Sequence, residues 1–354
     1  MPRWTRYYNL RHRATGWAHD GSTAATGDAA GFTARNGAAL SYDPLFEPPT
    51  LTSPVTRTLS SASRTASGGS TSQDMIVQSN GSEIVGPVVI KDARNVIVNP
   101  LQLTINGQIP VQTSTSAIPT YRTLAFNNIT GIVYIVGLYI KPGEGVSEGI
   151  QAFGSNGATF IYDRCHVAGV RSFDGDGETY GWQHSDLLQH ITGRLRMRLC
   201  TFADSVYQGI YIHASTTNAI IPEIRGVGMN IRGVRRQPFW LNGMGPGVAT
   251  PTVVQLDHVW NHQRRTADGN TFPLPYSTAH TNLSYTQTDD YPYAVNNGVT
   301  SGTYTSGTVT WPSDAKFASG LTMFRGLPPD GDFAPTNKVG LNYDAAWFAA
   351  QYYG

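Results

Sequence analysis

The chain has 354 residues, 40% of them hydrophobic, which is enough to bury a large core. Only 14% are charged and the net charge is +1, against roughly 25% charged residues in ordinary soluble domains. The densest basic clusters, Arg194/Arg196/Arg198 and Arg232/Arg235/Arg236, are too short for a nucleic-acid patch. No apolar stretch reaches the ~18 residues that span a membrane.

The opening Met1-Pro2-Arg3-Trp4 leads into no apolar signal core, so export by a signal peptide is not expected. Residues 1–75 read as an irregular N-terminal arm. Its start is aromatic and basic (Trp4, Arg6, Tyr7, Tyr8, Arg11, Arg13, Trp17). Leu51 to Ser72 is rich in Ser and Thr without a hydrophobic period, which reads as extended or linker-like. Such an arm is either a segment that orders against a partner or a loosely packed cap.

Residues 76–265 carry short β-rich runs at close spacing, broken by Gly and Asn. Examples are Val88-Val89-Ile90, Asn95-Val96-Ile97-Val98, Leu101 to Ile105 and Ile132 to Val136. This is the pattern of a solenoid rather than of a sandwich. An imperfect repeat supports it: Glu148-Gly149-Ile150-Gln151 with Ala158 to Val167, then Ser185 to Gln189 with Gly193 to Phe202, then Tyr207 to Ile212. The repeat puts Cys165 and Cys200 at one position of successive coils, about 4.8 Å apart. A buried stack of small side chains is the leading reading. A disulfide or a metal pair are the alternatives. The interval from Val170 to Gly181, with Asp174-Gly175-Asp176-Gly177-Glu178, must leave the coil as a loop. Loops on one edge of a solenoid usually build its binding cleft. Residues 266–354 read as a C-terminal cap, with a Gly/Thr-rich hairpin at Thr300 to Thr310 and an aromatic end (Trp347, Phe348, Tyr352, Tyr353).

His184-Ser185-Asp186-Leu187-Leu188-Gln189 followed by Tyr207-Gln208-Gly209-Ile210, together with Ile84 to Val96, resembles the pectate-lyase-like right-handed parallel β-helix superfamily. The resemblance covers about 180 residues. It implies an all-β, single-stranded right-handed parallel β-helix, a fold that hosts lyases, hydrolases and non-catalytic spikes. The layout of arm, β-helix and small cap is similar to the tail spikes or head fibres of tailed phages and phage-like gene-transfer particles. That likeness implies a homotrimer on a virion surface, assembled in a host cytoplasm. It implies docking to other virion proteins through residues 1–75, and no nucleic-acid partner or membrane insertion.

The candidate site is a sugar cleft. His184 and Asp186 share a strand face and sit beside the loop acids Asp174, Asp176 and Glu178. Two carboxylates some 5–9 Å apart would serve glycoside hydrolysis; the alternatives are glycan contact without catalysis, or buried polar residues that satisfy a turn. Calcium is possible at the Asp174 to Glu178 loop, although its spacing is not that of an EF-hand, and no dedicated metal site or other cofactor is expected. Trp182, Gln189, Tyr207, Gln208, Tyr211, Arg235, Arg236 and Trp240 are the candidate glycan contacts, through ring stacking and hydrogen bonds. Trp260 lies near them, and His258 and His262 flank it without a helical context for a metal pair. The leading expectation is a fibre or spike that binds cell-surface polysaccharide. A depolymerase (polysaccharide lyase or glycoside hydrolase) and a purely structural virion component are the rivals.

Overall fold

The structure is a computed structural model. It describes residues 33–105, 122–141, 143–144, 148–153, 157–171, 186–205, 208–213, 221–234, 239–242, 253–263, 293–295, 303–305, 308–310, 323–325 and 327–353. The chain is mostly β, and its strands form long parallel sheets.

In chain order the strands are β1 (Val55–Leu59), β2 (Thr65–Ser67), β3 (Met75–Ser79), β4 (Ile84–Val85), β5 (Val88–Ala93), β6 (Val96–Val98), β7 (Gln102–Thr104) and β8 (Arg122–Ile129). Then come β9 (Ile132–Val136), β10 (Tyr139–Ile140), β11 (Gly143–Glu144), β12 (Glu148–Phe153), β13 (Thr159–Asp163), β14 (His166–Ala168), β15 (Val170–Arg171), β16 (Asp186–His190) and β17 (Arg194–Ala203). The last are β18 (Gln208–His213), β19 (Glu223–Val234), β20 (Phe239–Asn242), β21 (Val253–Gln263), β22 (Tyr293–Val295), β23 (Thr303–Thr305), β24 (Thr308–Thr310) and β25 (Met323–Arg325). One sheet has 13 strands and another has 8, in the order β2-β5-β8-β12-β16-β18-β20-β22. Within each of these sheets neighbouring strands are parallel and lie apart in the sequence, and β11 pairs with β15 in a separate sheet. Among the described pairs only β23–β24 is antiparallel.

Register explains the core. Met75, Val96, Val133, Phe160, Leu195 and Ile224 occupy one position of successive strands, and all are fully buried. A second inward column runs Val77, Val98, Ile135, Tyr162, Met197, Gly226, Leu256. Gly226 is small because the Met229 side chain fills its place: a Cβ there would lie 2.6 Å from Met229 Cε. Cys165 and Cys200 share the column that continues to Met229. Both are buried free thiols, with Sγ of Cys200 3.4 Å from the Tyr162 carbonyl oxygen. Burial pushes the Cys165 thiol up.

The 13-stranded sheet bends at a stacked corner. Val136, Asp163, Arg198, Val227 and Asp257 share one register position. The residues that follow them, Gly137, Arg164, Leu199, Gly228 and His258, all have φ between 51° and 63°. A second corner stacks Gly169, Asp204 and Gly233 in the same way. A left-handed residue other than Gly costs about 1 kcal/mol or more. At Leu199 this is offset by full burial of the side chain against Phe333, Phe348 and Tyr352, worth about 2 kcal/mol.

Both ends of the described chain fold onto these sheets. Phe46, with Leu45 and Leu51, packs on the outward residues Ile97, Tyr134 and Ile161. Leu327 to Tyr353 lies along the corner, ending in α1 (Ala345–Tyr352). Asp344 caps that helix by accepting from Trp347 N at 2.9 Å. The two ends also hold one another: Asn36 N donates to Asp330 Oδ2 at 2.6 Å and Leu40 N to the Tyr352 carbonyl at 2.8 Å.

One boundary changes. The sheets begin at Val55, not near residue 76, and Leu51 to Ser72 holds the extended strands β1 and β2 rather than a linker. β1 and β2 bury only Leu59 and Ala66, which leaves no hydrophobic period to read. Within the arm, residues 33–53 make contacts with their own chain. Leu327 to Tyr353 packs along the left-handed corner, and the expected hairpin is present as β23–β24. Tyr343 lies over Gly137, and Gly340 N donates to the Gly137 carbonyl at 2.7 Å.

A Cβ at Gly137 would sit 2.4 Å from the Tyr343 ring, at a φ of +63°. Gly137→Ala is therefore expected to lower stability by roughly 2 kcal/mol or more. Urea titration checks the magnitude, and limited proteolysis should show cleavage beginning within residues 327–353.

Candidate functional site

The heads of four adjacent strands of the 8-stranded sheet carry one polar row. Arg122, Glu148, Asp186 and Gln208 share a register position on β8, β12, β16 and β18. They have the parity of Leu124, Ile150, Leu188 and Ile210, which are all core residues, so the row lies on the inward face. The sequence intervals between Thr104 and Arg122 and between Arg171 and Asp186 both end at this row.

Asp186 is fully buried, and neither carboxyl oxygen has a hydrogen-bond partner. Burial, followed by the nearby Glu148 carboxyl, pushes its pKa well above the carboxylate range. Glu148 is 7% exposed and faces Arg122 Nε at 3.4 Å, while Arg122 itself is 37% exposed. Asp186 thus does not line an open cleft as expected. The strand alternation that makes Leu188 a core residue turns Asp186 inward as well.

The opposite face of the same strands presents a different row. Ala125, Gln151, Gln189, Tyr211 and Trp240 are in register. The Gln151 side-chain amide donates to the Gln189 side-chain oxygen; Gln189 is partly exposed, whereas Gln151 and Tyr211 are buried, at 4% and 6% exposure. Of the expected glycan contacts, the structure places Gln189 and Tyr211 together on this row and Trp240 at its next backbone position. Gln208 falls on the inward row. His184, Asp174, Asp176, Glu178, Trp182, Tyr207, Arg235 and Arg236 lie outside the described residues.

Other charged and ring-bearing groups hold the fold. Asp163 is buried between Arg164, Arg198 and Tyr134, accepting from Arg198 at 2.8 and 3.1 Å and from the Tyr134 hydroxyl at 2.6 Å. The two guanidiniums keep its carboxyl well below the usual range against the cost of burial. Arg198 also lies over the Phe46 ring and donates to the Phe46 carbonyl, which ties the N-terminal segment down. Arg232 donates to both oxygens of Asp332, at 2.8 and 2.9 Å, and so anchors the C-terminal segment. His166 Nδ1 contacts the Ala334 carbonyl oxygen at 2.7 Å. Trp260 packs in the cluster around Leu199 and the C-terminal aromatics, and His258 pairs with Asp257 at 2.9 Å. Among the described residues, no three His, Cys, Asp or Glu side chains gather closely enough to hold a metal.

Sequence reasoning missed Arg122, Glu148 and Gln151. The signal for two of them was in the repeat: Glu148-x-x-Gln151 and Asp186-x-x-Gln189 have one spacing. Comparison with known proteins finds no matching family model, no matching curated protein and no matching solved structure.

A carboxyl whose folded pKa is raised holds a proton that the unfolded chain releases, so its contribution to stability is lost as pH rises above about 4. His190 acts in the opposite sense. Burial lowers it to about 4, so its contribution is lost as pH falls from about 6.5 through 4. Asp186→Asn is therefore expected to raise stability at pH 8 in metal-free buffer and to change it little at pH 4. Denaturation midpoints across that range check the sign.

Proposed function

We propose that the chain is a right-handed parallel β-helix of the pectate-lyase-like kind that binds cell-surface polysaccharide. One observation carries this reading: Gln189, partly exposed on the face of the sheet away from the core, sits in register between Gln151 and Tyr211, which are themselves nearly covered. The Gln189 amide offers a sugar hydroxyl both a donor and an acceptor. The in-register stack of parallel strands supports the coiled solenoid. The proposal further places the protein as a homotrimeric fibre or spike on a phage-like particle, in line with the layout of arm, solenoid and C-terminal segment.

Binding is favoured over depolymerisation by the position of Asp186. An acid sealed in the interior does not reach a glycosidic oxygen, whereas the partly exposed Gln189 needs only to contact a sugar.

The test is retention of intact host capsular polysaccharide or lipopolysaccharide on the purified protein, with size analysis of the polymer afterwards. Retention without shortening is expected, and Gln189→Ala should weaken it roughly tenfold, about 1.4 kcal/mol, with an unchanged denaturation midpoint. Release of short oligosaccharides would make the protein a depolymerase instead. Absence of retention would leave a structural component.

A further inference from the structure

We propose that the step between Glu148 and Asp186 is a binding site for a divalent, oxygen-seeking cation of the calcium class. The proposal stands independently of the polysaccharide reading, since it concerns the inward row and not the outward one.

Glu148 and Asp186 are register partners on adjacent strands, whose backbones run about 4.8 Å apart. An ion midway between oxygens so spaced lies about 2.4 Å from each, within the ~2.3–2.6 Å at which Ca2+ holds carboxylates. The pair brings four oxygens. Gln208 follows at the next register position, buried on the same face, and carries an amide oxygen. Water can complete the six to eight positions that Ca2+ accepts. The row has no His or Cys, which Zn2+ would prefer.

The second observation is the state of Asp186 itself. It is fully buried with both oxygens unpartnered, although buried polar groups are almost always satisfied. Nothing else in the row serves it: the Arg122 guanidinium contacts Glu148, one strand further away, at 3.4 Å. A bound cation would give Asp186 a partner and let both acids ionise. Arg122 then acts as a substitute counter-charge for Glu148. Being 37% exposed, it can swing outward when the ion enters.

This arrangement makes two variants move in opposite directions. The full chain is stripped with a chelator and titrated with CaCl2, by calorimetry and by thermal unfolding. The expected result for the wild type is one saturable site and an unfolding midpoint raised by a few degrees. Asp186→Asn should lose both effects, while Arg122→Gln should bind roughly tenfold more tightly, because a competing positive charge is gone. The proposal is overturned if the wild type neither binds calcium nor shifts, if Asp186→Asn still binds, or if Arg122→Gln binds more weakly.

Discussion

Parallel, in-register stacking is the constraint from which the rest of this molecule follows. Each residue rests on its counterpart one strand spacing away, so a position that faces inward does so on every pass. This is why Met75, Val96, Val133, Phe160, Leu195 and Ile224 form one apolar column. It is also why a polar residue at such a position becomes part of a row. Arg122, Glu148, Asp186 and Gln208 are what the same rule produces when the inward position lies at the strand heads. The outward row of Gln151, Gln189 and Tyr211 is its mirror on the other face of the sheet.

Stacking also determines where the chain ends go. A left-handed residue repeated on five passes turns the sheet at one line, and the corner side chains emerge along it. Leu199 and Arg164 project there into the aromatic segment: Leu199 packs with Phe333 and Phe348, and the Arg164 guanidinium lies over Tyr343 and Phe348. The Asp163 network beneath joins this line to the Phe46 segment. The N-terminal and C-terminal segments thus form one brace along the flank, and the left-handed cost at Leu199 and Arg164 is offset by the contacts they make with it.

Much of this was legible in the chain. The β-rich runs, the broken spacing and the alignment of Cys165 with Cys200 read correctly because stacking imposes a repeat that survives in the residues themselves. Other features left little trace. β1 and β2 lie at the start of the sheets and bury one residue each, so their hydrophobic pattern is too thin to see. The corner at Arg164 and Leu199 has no glycine to announce it. Asp186 read as a cleft acid because acids are usually outside; only the register with Glu148 and the parity with Leu188 turn it inward.

The most direct test of the account is thiol accessibility at two positions of β16 three residues apart. Cys165 and Cys200 are buried, so they add no background in the folded protein. Gln189→Cys should react readily with a polar maleimide, and Asp186→Cys should react only after denaturation. Equal or reversed reactivity would contradict the alternation on which both rows, and the site proposed at Glu148 and Asp186, depend.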